Sequence, residues 1–293
     1  MMQKGKNIHL YLMDGDVNGR MKCTLANWTG VAYKIPRTEL EKCRERNDLK
    51  FSGCYFLFGV SDQTGKNVVY VGQAGSRKNG EGILSRLLEH KRNPEKDYWT
   101  EAVIMTTSDN SLGATEISYL EHRFCNLALD ANRYIVKNGN DPNAGNITEE
   151  KESELEEFIE NAKLIMGVLG HKVFIPLAQQ EKITQEEAEL FLTRTIKKLN
   201  LTIQAYGKQT SEGFVVLKGS MISPEEDNTI STSTGIRKKR KTCAIDKNYI
   251  LQEDVLFNSP SSAGQFVTGK SCNGWVCWKT KDGKTLRDLE NKT

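Results

Sequence analysis

Apolar residues in this chain fall into short runs with two different periods. Cys54 to Val60 and Asn67 to Val71 are rich in aromatic and β-branched residues, with the turn-like Gln63-Thr64-Gly65-Lys66 between them. That pattern predicts a β-hairpin. From Ile83 to Arg92 the spacing becomes helical, with Ile83, Leu84, Leu87 and Leu88 on one arc. Ala102 to Thr106 reads as a strand. Gly113 to Arg133 reads as a longer helix with an apolar face of Ala114, Ile117, Leu120, Phe124, Leu127 and Ala128. The order β-β-α-β-α predicts an α+β fold, a small mixed sheet flanked by helices.

The flanks are patterned differently. Residues 1–49 read as an N-terminal β/α extension: a strand from His9 to Met13, a turn at Asp14-Gly15, and a polar helical stretch from Arg37 to Asn47 after Pro36. The core domain is set at 50–142 and closes in loop chemistry, Asp141 to Asn146. Residues 143–199 are expected to form a helical connector. It holds one helix from Thr148 to Leu169, with Leu155, Phe158, Ile159, Ala162 and Ile165 at helical spacing, and a second from Gln185 to Leu199. Residues 200–293 turn rich in Gly, Ser and Thr, with strand-like pieces at Gly213 to Leu217 and Trp275 to Trp278. They are read as a separate C-terminal α+β domain.

Composition narrows the class without naming a function. Of 293 residues, 38% are hydrophobic and 27% charged, enough for a packed core. The net charge of +3 is too small to announce a nucleic-acid partner by itself. No apolar run reaches the ~18 residues of a membrane span, and the N-terminus does not read as a secretory signal. The seven cysteines are scattered without a C-x-x-C pair, which reads as free thiols in a reducing, cytoplasmic setting.

Candidate chemistry gathers on the predicted core. Gly53-Cys54-Tyr55 opens one hairpin strand and Tyr70-Val71-Gly72 closes the next, with Gly72 where backbone could approach a ligand. Arg86 and His90, four apart, share one edge of the first helix. Arginine suits a phosphodiester, because its planar fork meets two phosphate oxygens and stays charged. Histidine there could bind phosphate or move a proton. Either could equally be part of a solvated basic edge. In the longer helix Glu121 falls inside the apolar arc, where a bare carboxylate is costly unless a cation or a salt bridge compensates it.

Together these residues resemble the GIY-YIG nuclease family over about residues 50–140. Gly53-Cys54-Tyr55 matches the first family element and Tyr70-Val71-Gly72 the second. Arg86 matches the helix arginine, His90 a histidine some members carry, and Glu121, in Tyr119-Leu120-Glu121, the metal-binding glutamate. Asn138 is taken as the family asparagine after that helix, with Asn132 and Asn140 as competitors. The resemblance implies an endonuclease that hydrolyses DNA phosphodiesters with Mg²⁺ or Mn²⁺ held by Glu121. Tyr55 would accept the proton of the attacking water, aided by nearby cations that lower its pKa. Tyr70, Arg86, His90 and Asn138 would complete the site. The rival expectation is a catalytically silent DNA-binding or scaffold protein on the same fold.

Ser259-Pro260-Ser261-Ser262-Ala263 and Gly269 to Trp275, followed by Trp278, resemble a small uncharacterised domain often joined to such nucleases and found with bacterial restriction and modification proteins. Trp275 and Trp278 also read simply as core residues after an Asn-Gly turn. The run Arg237-Lys238-Lys239-Arg240-Lys241 is expected to contact DNA phosphates or to be a solvated loop. Gly59 to Lys66 nearly spells a phosphate-binding loop, but it leads into a strand instead of a helix.

Overall fold

The computed structural model describes residues 5–75, 82–139, 145–177, 190–224 and 233–290. The chain divides into two compact units, Met1–Pro176 and Leu177–Thr293. Both mix helix and sheet.

The first unit is built on a seven-stranded mixed sheet. Its strands are β1 (Ile8–Leu12), β2 (Met21–Leu25), β3 (Gly30–Pro36), β4 (Gly53–Val60), β5 (Asn67–Ala74), β6 (Glu101–Thr107) and β7 (Ile135–Val136). They lie in the order β1-β2-β3-β6-β4-β5-β7. All neighbours are antiparallel except β5 and β7, which run parallel. The helices are α1 (Ile83–Arg92), α2 (Ala114–Ala131) and α3 (Glu149–Val168). Strand β4 lies inside the sheet and is buried through its first six residues, which explains its unbroken apolar run.

Two cores cover opposite faces of that sheet. On one, Cys54, Phe56, Phe58, Val69 and Val71 pack with Ile117, Leu120 and Phe124 of α2 and with Leu155, Phe158, Ile159, Ala162 and Ile165 of α3. On the other, Tyr55 and Leu57 pack with Ile83, Leu84, Leu87 and Leu88 of α1. The alternation along β4 therefore assigns successive residues to different helices.

The sheet takes in much that the sequence pattern set outside it. Strands β2 and β3 lie in the stretch read as a β/α extension, and β3 pairs along its whole length with β6. Helix α3, expected in a connector, packs on the same face as α2. The Arg123 guanidinium of α2 holds Glu156 of α3 at 2.5 Å, and the Tyr119 hydroxyl donates to Glu156 at 2.7 Å.

The second unit has an antiparallel sheet ordered β11-β10-β9-β8, from β8 (Leu190–Ile196), β9 (Leu201–Thr210), β10 (Gly213–Val216) and β11 (Val255–Phe257). Among the described residues four helices accompany it: α4 (Thr234–Thr242), α5 (Pro260–Thr268), α6 (Gly274–Cys277) and α7 (Leu286–Glu290). Two expectations are corrected here. Leu190 to Ile196 is a strand and not helix, because Leu190, Leu192 and Ile196 face the core while Thr193 and Thr195 face away, a period of two rich in β-branched residues. Trp275 to Cys277 is a helical turn and not a strand, because the Asn273 side chain caps it by accepting the Trp275 amide at 3.2 Å. Gly274 belongs to the same packing: a Cβ there would lie 2.1 Å from the Pro260 backbone. Trp278 is fully buried, donates its indole N–H to the Pro260 carbonyl at 3.0 Å and packs on Phe214, whereas Trp275 is exposed.

All seven cysteines are thiols, with no disulfide. No helix of the described residues is long and apolar enough to cross a membrane.

Candidate active site

The hairpin register brings the two tyrosines together. Tyr55 of β4 stands opposite Gly72 of β5, and Tyr70 lies two residues along on the same face. Their ring centroids are 6.3 Å apart. The need for glycine at 72 is local: a Cβ there would sit 2.4 Å from the Tyr55 hydroxyl and ring. The close approach foreseen at Gly72 is thus made by Tyr55, and β5 continues past it to Ala74.

Helix α1 lies over that face. His90 is only 3% exposed, and its Nε2 is 2.7 Å from the Tyr55 hydroxyl. Its ring also meets Tyr70 edge-on at 5.5 Å. Burial, helped by the charges of Lys96 and Arg86, brings the imidazole pKa down to about 4. The ring is therefore neutral at neutral pH, and Nε2 can accept the Tyr55 proton. Burial pushes the Tyr55 phenol far above its ordinary range, Tyr70 adds to the rise, and Arg86 opposes it. Arg86 does lower Tyr55, as expected of a neighbouring cation, but the net shift is upward. Desolvation of the phenolate outweighs Arg86, and the residue is held as a phenol hydrogen-bonded to His90.

Arg86 projects from the same helix one turn earlier. It is partly exposed and ion-paired to Glu89 at 2.7 Å. Its charge still reaches Tyr55, Tyr70, His90 and Glu121. A second cation, Lys96, went unread in the sequence. Its Nζ lies 3.6 Å from the Tyr70 ring centroid. Lys96 ends a 3₁₀ turn, Pro94–Lys96, fixed where Asn93 Oδ1 accepts the Glu95 amide at 2.9 Å. The Asn-Pro pair two residues upstream was the available signal, since it halts α1 and turns the chain back. Burial, with Arg86 adding, lowers the Lys96 ammonium.

Glu121 comes from α2, which packs on the other side of the sheet. It shares Gln73 of β5 with Ser118, whose hydroxyl is 3.1 Å from Gln73 Nε2. Burial raises its carboxyl, while the Gln73 hydrogen bond and Arg86 oppose the rise. Among the described residues no Lys or Arg forms an ion pair with it. A partly buried carboxylate with no ion pair among the described residues could hold a divalent cation, since Mg²⁺ needs only one or two protein carboxylates beside water and phosphate oxygens. No cluster of three or more acidic, His or Cys ligands occurs among the described residues, so Glu121 would act there as a single carboxylate.

Asn138 has a different place from a reacting group. Its amide pairs both ways with the Val71 backbone, accepting the N–H at 3.0 Å and donating to the carbonyl at 2.8 Å. It extends the pairing begun by β7 and pins the strand between Tyr70 and Gly72. Of its competitors, Asn132 ends α2 in the left-handed conformation, and Asn140 lies outside the described residues.

Two residues of the C-terminal basic run are committed to their own unit. In α4, Lys239 Nζ donates to the Leu256 carbonyl and lies over the Phe257 ring at 4.5 Å. Arg240 donates to the carbonyls of Phe266 and Ser223. Arg237 is half-buried, and only Lys238 and Lys241 are exposed. The run is a folded helix rather than a loop, with Lys239 and Arg240 bonded within their own unit and Lys238 and Lys241 facing solvent.

Residues 195–290 match a family described as a domain of unknown function (DUF4357). Comparison with curated proteins finds no match, and comparison with solved structures finds none either.

Proposed function

We propose that the first unit is a GIY-YIG-type endonuclease that hydrolyses DNA phosphodiesters with Mg²⁺ or Mn²⁺. The observation that carries this reading is the convergence at β5: Tyr55 hydrogen-bonded to a neutral His90, Tyr70 beside them, Arg86 and Lys96 as cations, and Glu121 across the strand. The surrounding order β4-β5-α1-β6-α2 is the one the resemblance implies.

The chain's own groups divide the work as follows. The Tyr55 phenol is too poor a base to hold a proton alone. It can take one from water only as it passes its own to His90 Nε2. A bound phosphodiester places negative charge near His90, which raises the imidazole pKa and strengthens it as the acceptor. Arg86 and Lys96 face the charge growing on the phosphoryl oxygens, and Arg86 offers the bidentate fork. Tyr70 orients water or phosphate. Asn138 holds β5 in register. A divalent cation on Glu121 would stabilise the leaving 3′ oxygen as a Lewis acid.

The test is nicking of supercoiled plasmid with and without Mg²⁺, for wild type and Glu121→Gln. Wild type should nick only with the metal, and the variant should be slower by at least ~100-fold while keeping its fold and DNA affinity. Equal cleavage by the two would remove Glu121 from the chemistry. Binding without any cleavage by wild type would favour the silent DNA-binding reading.

A further inference from the structure

Two lysines near the tyrosine pair are held differently from many cations of the first unit. Lys34 lies 3.1 Å from Glu101, Arg37 2.6 Å from Asp97 and Arg123 2.5 Å from Glu156. Among the described residues Lys96 and Lys137 form no ion pair. Their ammonium groups lie over aromatic rings instead, Lys96 at 3.6 Å from the Tyr70 centroid and Lys137 at 5.8 Å from that of Tyr98. A ring face orients an ammonium group without neutralising it, so both keep their charge and N–H groups for a ligand. Asp97, between Lys96 and Tyr98, is taken by Arg37.

The strand register places Lys137 on the face of the tyrosines. Strands β5 and β7 run parallel with Val69 opposite Val136, and the Lys137 amide donates to the Val69 carbonyl at 2.8 Å. The next pair is therefore Tyr70 with Lys137, followed by Val71 with Asn138, which the Asn138 side chain closes. Aligned residues of neighbouring strands share a face, and faces alternate along each strand. Val69 and Val136 both pack on the core beneath α2, so Tyr70 and Lys137 both lie on the side that carries α1. Tyr98 packs on that side too, and its hydroxyl is bonded to no group among the described residues. Strand β7 is the last of the sheet, and Lys137 is exposed. Lys96 and Lys137 thus lead from the tyrosine pair to the outer edge of the sheet.

We propose that Lys137 and the Tyr98 hydroxyl hold a second phosphate of the nucleic-acid strand, the neighbour of the one that meets Arg86 and Lys96. This rests on the reading of the first unit as a nuclease. Lys137 supplies charge and Tyr98 a neutral donor, while the Tyr98 ring keeps the ammonium group in place. The exposed edge at β7 lets the strand run on into solvent, which a polymer needs and a mononucleotide does not. The contact is to backbone, so it positions the strand without reading its sequence.

The test is binding of a labelled DNA duplex to the full chain without divalent metal, with log affinity read against log salt. Each phosphate contact contributes about −0.9 to that slope, so Lys137→Gln should flatten it by about 0.9 and weaken binding roughly 8-fold at 0.1 M salt. Its melting temperature should stay the same, because the side chain is exposed. Lys137→Arg should restore both slope and affinity. Tyr98→Phe keeps the ring and loses the donor, so it should weaken binding by about 3-fold at the wild-type slope. Lys151→Gln, on α3 and paired with Glu154 at 2.6 Å, is the control and should leave the slope as it is. A wild-type slope for Lys137→Gln, or an equal flattening by Lys151→Gln, overturns the proposal. Unchanged affinity for Tyr98→Phe overturns the part given to its hydroxyl. Reading binding without metal separates the two claims. Plasmid nicking by wild type together with an unaltered Lys137→Gln slope keeps the nuclease and sinks the subsite. A flattened slope in a protein that never nicks sinks the nuclease and keeps Lys137 as a DNA contact.

Discussion

At the scale of single residues, the site depends on which side chains are desolvated and which are held by neighbours. Arg86 ion-pairs with Glu89 on its own helix, with both side chains partly exposed. Such pairs contribute about 0.2–1 kcal/mol. Glu89→Ala should therefore tighten DNA binding by up to ~5-fold, read as the Kd of a labelled duplex. His90 is the residue whose titration reports on the fold. Its pKa is about 4 in the folded chain against 6.5 for an ordinary histidine. Between those values the unfolded chain binds a proton that the folded chain does not, so stability rises with pH there and is lost as pH falls from 6.5 towards 4. The loss is at most about 3 kcal/mol, and His90→Gln should flatten this part of a urea-unfolding series against pH. Tyr55, Tyr70, Arg86, His90 and Glu121 were all legible in the sequence as a set. Two things were not: the sign of the Tyr55 shift, which depends on burial by α1, and Lys96, whose approach to Tyr70 depends on a turn and not on a periodic element.

At the scale of elements, the hairpin, α1, β6, α2 and α3 could be read from the chain because each has a clean period and a plain terminator. Strands β2 and β3 were hidden by brevity. β2 alternates over only five residues and β3 is buried along most of its seven; β3 is fixed by long-range pairing with β6, and β2 by pairing with β3. Leu190 to Ile196 misled because Leu, Lys and Arg near it favour helix, and tertiary packing on β9 decides otherwise. Trp275 to Cys277 misled because a short apolar run has no period of its own. The consequence for the site lies in β5. Beyond β7 the Asn138 side chain bonds to both backbone groups of Val71. Asn138→Ala removes both bonds. It should cost about 1–3 kcal/mol in urea unfolding and reduce the nicking rate through displacement of Tyr70, with metal dependence kept. Asn132→Gly should be tolerated, since that residue supplies only a left-handed helix end.

At the scale of the whole molecule, the division after Pro176 determines which fragment should stand alone. A cut near residue 146, at the loop the sequence suggested, strips Leu155, Phe158, Ile159, Ala162, Ile165 and Met166 from the core beneath β4 and β5. Residues 1–176 should fold and nick DNA, whereas 1–146 should be insoluble or lack a cooperative thermal transition. A cooperative, active 1–146 fragment would refute the part assigned to α3. One further consequence follows from the strand order. The tyrosines stand near the β5 end of the sheet and the open edge is β1, five strand spacings away. Strands lie about 4.8 Å apart. The tyrosine pair and the β1 edge are thus roughly 24 Å apart, far enough that a substitution at one should leave the packing of the other unchanged and their effects on stability additive.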